Sequence, residues 1–486
     1  MEKNKGFKLL DIEDIKLFIN GEWVSSSSNS YFTLKNPSTG ETVTKVPRGG
    51  RKEAIEAIEA ASEAFQNWAK LTAYERADYL LKLRDLMLEN EDELATIMSI
   101  EMGKAYTEAC GEVKYAASFL TWYAEEGRRI YGETIPASVS NKRLFVVKQP
   151  VGVIAAITPW NFPLAMMTRK LGPALAAGCT GIVKPASQSP LSALAFAKLV
   201  EMAGIPKGVV NIVAGATQEI SDEIFENPSV KKISFTGSTE VGKTLVEKSA
   251  PLLKKLALEL GGHAPFIVFE DADLEKASEG ALASKFRNAG QTCVCANRIY
   301  VHENVKDKFL KILVEKVKQL KIGNSLDETI QIGPLVNEEG VRKVEEHVLD
   351  AVEKGATVLQ GGRRFGDQGC FYEPTVLADV TKEMKIMTEE TFGPVAPIIA
   401  FNNEDEVIKE ANDTIYGLAA YLYTSDISRA VRVSESLNFG VIGLNDGVPG
   451  AAQAPFGGMN QSGYGREGGH QGIRDYLEEK YISLGI

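Results

Sequence analysis

VGVIAAI (151–157), GIVKP (181–185), VVNIVAG (209–215), KKISFTG (231–237) and KKLALELGG (254–262) succeed one another through residues 151–262 of this chain. Between them lie stretches with helical spacing, such as SPLSALAFAKLVEMAG (189–204), which closes on Gly204. Short apolar runs bounded by Gly or Pro read as buried strands. Strands alternating with helices imply right-handed crossovers and a mostly parallel sheet. Ligands of such sheets bind beyond the carboxyl ends of the strands. That rule picks out Trp160, Asn161, Lys184, Gly237 and Glu259.

Working outward, TPWNFP (158–163) is a Pro-bearing loop, with a helix expected from about Leu164. Residues 52–102 are rich in Ala, Glu, Leu and Lys at helical spacing and should be helical. SSSS (25–28) reads as a turn between early strands. A second alternating series starts near Pro265 and runs to about Leu437. The tail is glycine-rich from Gly457, and YLEEKYISLGI (476–486) reads as a helical turn and a strand reaching toward a neighbouring subunit.

At 486 residues the chain exceeds what one hydrophobic core usually serves, so two or three domains are expected. Apolar residues make up 44% and charged residues 24%, as in an ordinary globular protein. The net charge of -11 is a poor match to nucleic acid, which needs a basic footprint. No apolar run reaches a bilayer-spanning length, and the N-terminal stretch has no signal core, so a cytoplasmic protein is expected. Five scattered cysteines (110, 179, 293, 295, 370) suit a reducing compartment, and no metal site is expected from the CxC pair and four distant histidines.

GSTEVGKT (237–244) competes for attention, because it matches the phosphate-loop pattern of nucleotide triphosphatases. FIVFED (266–271) resembles the acidic strand that would hold magnesium. Two features weaken this reading. Glu240 would sit among phosphate oxygens and repel them. A helix starting at Ser238 or Thr239 would carry Lys243 one turn beyond the amides. That helix start still suits a diphosphate.

FRNAGQTCVCANR (286–298) places Cys293 after a Gly-Gln turn, LELGG (258–262) places Glu259 at a strand end, and TPWNFP places Asn161 in a loop. Each alone has an ordinary structural explanation. Together their roles are complementary. A thiolate attacks a carbonyl carbon, an amide with a backbone N–H holds the oxyanion, and a carboxylate activates water.

TPWNFP, KPAS (184–187), FTGSTEVG (235–242), LELGG, FRNAGQTC (286–293), EETFGP (389–394) and PFGGMNQSGYGREGG (455–469) stand in the order and approximate spacing of the aldehyde dehydrogenases. The chain resembles that family over nearly its whole length. Within it, SKFRNAGQTCVCANR (284–298) and MTRKLGPALAAGC (167–179) look most like succinate-semialdehyde dehydrogenases.

The resemblance implies a modified Rossmann-type cofactor domain (1–130 and 150–258), a second α/β catalytic domain (259–440), and a β arm with the C-terminal tail (131–149 and 441–486). It implies a homodimer or homotetramer built through that arm. Cys293 becomes the nucleophile, Asn161 and the Cys293 amide the oxyanion site, Glu259 the water activator and Glu467 a second proton carrier. Lys184 and Glu390 are expected on the cofactor riboses, with Phe392 near the nicotinamide. Trp160, Ser238, Gly237 and Gly242 are expected near the pyrophosphate. Phe162 and Phe456 are expected to line the substrate site.

Ser187 stands where strictly NAD-dependent relatives often carry glutamate, so NADP is expected to be favoured over NAD. Arg169 and Arg287 stand where relatives for apolar aldehydes carry aromatic residues. Guanidinium groups bind carboxylates with paired hydrogen bonds, so a small semialdehyde is expected, succinic first and glutaric second. The loop NDGVPGAAQAPFGG (445–458) has Gly450 and Ala451 where some succinate-semialdehyde relatives carry serine, which bears on chain length. Cys295 is a candidate for a reversible disulfide with Cys293.

Overall fold

The computed structural model describes residues 7–486. The chain opens with β1 (Leu17–Ile19), β2 (Glu22–Val24), β3 (Tyr31–Lys35) and β4 (Thr42–Pro47). Four helices follow: α1 (Arg51–Trp68), α2 (Ala73–Glu89), α3 (Glu91–Met102) and α4 (Tyr106–Glu126). Next come β5 (Glu133–Ile135) and β6 (Lys142–Pro150). The alternating series is β7 (Val153–Ile157), α5 (Pro163–Ala177), β8 (Thr180–Lys184), α6 (Pro190–Ala203), β9 (Val210–Ile212), α7 (Thr217–Glu226), β10 (Val230–Thr236), α8 (Thr239–Ser249) and β11 (Lys255–Glu259).

The second series is β12 (Ala264–Val268), α9 (Leu274–Phe286), β13 (Ala296–His302), α10 (Glu303–Lys318), α11 (Glu338–Glu353), β14 (Thr357–Gln360), β15 (Thr375–Ala378), β16 (Val395–Phe401), α12 (Glu404–Asn412), β17 (Ala419–Tyr423), α13 (Ile427–Ser436) and β18 (Val441–Leu444). β19 (Gly463–Tyr464) and β20 (Leu477–Gly485) end the chain.

β11, β10, β7, β8 and β9 run parallel, and antiparallel β19 and β1–β2 flank them, giving an eight-stranded sheet. This is the doubly wound α/β fold expected from the alternation. A seven-stranded sheet in the order β14-β15-β16-β13-β12-β17-β18 forms the second body, with its own hydrophobic core. β18 pairs with β17, so residues 441–444 belong to this second sheet and not with the arm, where the sequence reading put them. β20, β6 and β5 form a separate three-stranded antiparallel sheet whose faces are largely exposed.

The helix ends explain how the first sheet is held. α5 and α6 both start with Pro at the first helical position and end at left-handed glycines, Gly178 and Gly204. Neither has a local side-chain cap. Instead Glu112 of α4 accepts from the amides of Leu164 (3.0 Å) and Ala165 (3.2 Å). Glu101 of α3 accepts from the amides of Leu191 (2.7 Å) and Ser192 (3.0 Å). Two buried carboxylates thus satisfy the orphan donors of two helix starts and complement their dipoles.

Candidate active site

Parallel register brings the functional ends of the strands level. Ile157 pairs with Phe235 and with Lys184, and Thr236 pairs with Glu259. The carboxyl end of the sheet therefore presents, side by side, the loop carrying Trp160 and Asn161, Lys184, Thr236 with Gly237, and Glu259. The 160–162 loop is fixed from below. Lys104, buried and ion-paired with Glu112, donates to the Asn161 carbonyl at 2.8 Å and lies 3.7 Å from the Phe162 ring centre.

The nucleophile arrives from the other body. After α9 the chain turns through Asn288, Ala289 and Gly290, all with positive φ (52°, 54° and 75°). Left-handed backbone is costly for alanine, and the surroundings hold it there. The Asn288 amide donates to Glu108 at 2.8 Å, and the Asn288 side chain donates to the carbonyls of Asn161 and Gln291, both at 3.2 Å. The Asn161 side chain donates to the Gln291 carbonyl at 3.0 Å. Gly262 makes room for this loop, since a Cβ there would collide with the Cys293 carbonyl oxygen. Cys293 itself is partly exposed at the junction of the two bodies.

Burial dominates the electrostatics. It pushes the Cys293 thiol up to about 12, aided by the Glu259 charge and opposed by Arg169 and Arg287. Burial raises Glu259 to about 7 against the pull of Arg169. Glu467 is buried too, but Lys170 and Arg169 outweigh burial and hold it below the usual carboxylate range. Lys170 Nζ lies 2.6 Å from Glu467 Oε1 and donates to Thr236 Oγ1 at 2.7 Å. A carboxylate held so firmly ionised is a poor proton carrier, which weakens the relay role expected for Glu467.

Arg169 is not an empty cation. Its Nη2 donates to Glu259 Oε1 at 2.5 Å, and its Nε lies 2.9 Å from Glu467 Oε2 without a hydrogen bond to it. Two glutamates, 90 and 298 residues away in sequence, therefore already hold it. Its guanidinium also sits 4.2 Å from the Phe456 ring centre. Arg287 is different. It forms no ion pair among the described residues, its Nε is buried without a partner, and it lies 5.5 Å from the Phe162 ring centre. Phe162 and Phe456 thus stand against the two arginines.

The same chemistry recurs in known proteins. Residues 23–482 match the model of the aldehyde dehydrogenase family. This chain belongs to that family. It is 54% identical over 482 residues to the NADP-dependent succinate-semialdehyde dehydrogenase of Escherichia coli strain K12, covering 98% of this chain and all of that one. It is 53% identical over 481 residues to a glutarate-semialdehyde dehydrogenase of Pseudomonas aeruginosa, again over 98% of this chain and all of the other. Among solved structures it superposes on an E. coli NADP-dependent enzyme with a TM-score of 0.96 at 54% identity, covering 98% and 99% of the two chains.

As in an aldehyde dehydrogenase, a dinucleotide would have to lie along the carboxyl end of the first sheet, and the residues there suit it. Lys184 is 5% exposed, its ammonium donates only to Thr217 Oγ1 at 2.8 Å, and burial lowers it to about 8. A buried cation with a hydroxyl partner and no carboxylate favours an added anion. Ser187 lies nearby in the same loop and is half-buried. Ser238 caps α8 by accepting from the Val241 amide at 3.3 Å, leaving other first-turn amides for a diphosphate. Side chains at Gly237 and Gly242 would strike the Phe235 ring and Leu260 (Cδ2 at 2.5 Å), so both glycines also make room for packing within the protein.

Trp160 and Phe392 meet edge to face with ring centres 5.6 Å apart, and Phe392 has a positive φ of 54°. Glu390 accepts from the Gly262 amide at 3.1 Å, and burial raises it to about 7. The triphosphatase pattern comes apart in space. GSTEVGKT joins β10 to α8 in the first sheet, whereas FIVFED is β12 of the second. Lys243 is exposed on α8, and Asp271 is taken by Thr424 and Arg429. Cys295 is fully buried, its thiol donating to the Lys285 carbonyl at 3.5 Å, and both it and Cys293 are free. A bond between them requires Cys295 to leave that carbonyl. Among the described residues no helix is long and apolar enough to cross a membrane, and no group of metal-holding side chains is assembled.

Sequence reading missed Lys104, Glu108, Glu112 and Lys170, which hold the catalytic loops in place. Lys104 lies in the link between α3 and α4, Glu108 and Glu112 on α4 and Lys170 on α5, and no local pattern sets these charges apart from solvated ones.

Proposed function

We propose that this aldehyde dehydrogenase oxidises a short semialdehyde to the corresponding dicarboxylate, with NADP favoured over NAD. The observation that carries the reading is Arg287, a half-buried guanidinium with no ion pair among the described residues, close enough to influence the Cys293 thiol. A carboxylate at the far end of the substrate supplies the missing charge. The names of the E. coli and P. aeruginosa relatives support a four- or five-carbon chain, succinic semialdehyde first and glutaric semialdehyde second.

In this reading the Cys293 thiolate attacks the aldehyde carbon. The Asn161 side-chain amide and the Cys293 backbone N–H hold the oxyanion of the thiohemiacetal. A nicotinamide cofactor, when bound, would supply the hydride acceptor needed to oxidise the thiohemiacetal to a thioester. Glu259 then takes a proton from water as it attacks the thioester. Glu467 and Lys170 set the charge around Glu259. Lys184 and Ser187 would face the ribose 2′-phosphate, and Glu390 the other ribose. The exposed sheet of β5, β6 and β20, carrying Ile135, Val147, Tyr481 and Leu484 at its surface, supports assembly into a homodimer or homotetramer.

Steady-state kinetics on ω-semialdehydes and neutral aldehydes of matched length, with each cofactor, test the reading. Succinic semialdehyde with NADP should give the highest kcat/KM. Equal kcat/KM for butanal and succinic semialdehyde would reject it.

A further inference from the structure

Helix α11 meets two loops that the proposed chemistry must align. Just before it, the Val336 amide donates to Gln291 Oε1 at 2.9 Å, two residues from Cys293. In its middle it meets the loop 389–393, which carries Glu390. A Cβ on Gly393 would lie 2.3 Å from Val344 Cγ2, so helix and loop are in close contact there. A Cβ on Gly290 would lie 2.1 Å from the Gly393 carbonyl oxygen, so the same loop also backs the turn before the nucleophile. His347 stands three residues after Val344, on the same face of α11. Its side chain is 1% exposed. Nε2 lies 3.3 Å from Glu389 Oε2, and Nδ1 lies 3.1 Å from Thr391 Oγ1. Glu389 and Thr391 are the residues on either side of Glu390.

We propose that His347 is a positioning residue that pins the loop around Glu390 to α11 and so sets Glu390 for the cofactor. The inference rests on the reading of Glu390 as a ribose contact. Burial holds His347 below the usual histidine range, with Lys343 adding to the effect and Glu389 and Glu346 opposing it. The neutral ring has one donor and one acceptor. A carboxylate only accepts, so Nε2–H donates to Glu389 and the Thr391 hydroxyl donates to Nδ1. Both ring nitrogens are thereby committed to the loop, one on each side of Glu390. The loop needs such a hold. Phe392 has a positive φ of 54°, a conformation that a non-glycine residue keeps only when its surroundings enforce it. From its other side, Glu390 is gripped by the Gly262 amide at 3.1 Å. His347 therefore acts on the cofactor through Glu390, without touching the reacting atoms.

Titration calorimetry with NADP and no aldehyde tests this on the intact enzyme. His347→Leu keeps the bulk and removes both hydrogen bonds, and the dissociation constant should rise about tenfold. His347→Gln keeps a donor and an acceptor and should restore most of the affinity. KM for succinic semialdehyde should hold in both variants. In a Glu390→Gln background, His347→Leu should add little, because the two residues act as one unit. Unchanged NADP affinity in His347→Leu, a glutamine variant as weak as the leucine one, or the same loss in both backgrounds overturns the proposal. Should His347→Leu fail to fold, Thr391→Val and Glu389→Ala each remove one bond from the loop side. Weaker NADP binding in either then supports the proposal, and unchanged binding in both overturns it. If Glu390→Gln alone leaves NADP affinity unchanged, the reading of Glu390 falls and the proposal falls with it.

Discussion

The side-chain amide of Asn161 donates to the carbonyl of Gln291 at 3.0 Å, tying the loop after β7 to the loop that carries Cys293. The bond spans the two bodies of the molecule, so Asn161 ties down the loop of Cys293, and in the proposed mechanism it also offers a donor to the oxyanion. Asn161→Ala removes both. We expect kcat to fall by about 10²–10³ with little change in KM. Steady-state kinetics alongside thermal unfolding check this, and a variant with wild-type kcat contradicts it.

In the proposed reading, cofactor choice turns on Ser187. A glutamate there places a carboxylate beside Lys184, where it accepts from a ribose hydroxyl and repels a 2′-phosphate. Ser187→Glu should lower kcat/KM for NADP by about 10²-fold, on the order of 3 kcal/mol of lost interaction, while NAD is spared or improved. Equal loss with both cofactors would count against this assignment.

Arg287 offers a charge with no ion pair among the described residues, and its removal should be felt only by anionic substrates. Arg287→Met should raise KM for succinic semialdehyde by about 10²-fold, the 2–3 kcal/mol typical of a hydrogen bond to a charged group. KM for butanal should stay the same or fall. A parallel loss on both aldehydes points to a structural role instead.

Glu101 is a stability element. It accepts from the amides of Leu191 and Ser192 and from the Ser192 hydroxyl, all buried. Glu101→Ala leaves three buried donors unpaired and should cost about 3–9 kcal/mol, at roughly 1–3 kcal/mol for each donor. Glu101→Gln keeps an acceptor oxygen and should cost less. Chemical denaturation of the three proteins gives the order directly.

The alternation of β7 to β11 with α5 to α8 was legible because strand and helix periods are local, and so was the cluster at their carboxyl ends. Ser238 as the cap of α8 was legible for the same reason. What escaped depended on partners far along the chain. Nothing in MTRKLG places Glu259 and Glu467 against Arg169, so these two ion pairs were not foreseen. Glu101 and Glu112 cap helices that begin 89 and 51 residues after them, and no local pattern announces a cap at that range. The packing role of the glycines of GSTEVG escaped because the side chains filling their space, Phe235 and Leu260, cannot be seen in the motif itself.

The covalent route through Cys293 is the centre of the account, and Glu259→Gln isolates it. The wild-type hydrolysis rate should fall about tenfold per unit below pH 7, since Glu259, raised to about 7, must be unprotonated to accept a proton from water. In Glu259→Gln, succinic semialdehyde and NADP should give a burst of reduced cofactor equal to the subunit concentration, then near-arrest. Mass spectrometry of the quenched protein should find one acyl group on the peptide bearing Cys293. Reduced cofactor formed with that peptide unmodified, or an acyl group on another residue, would contradict the mechanism.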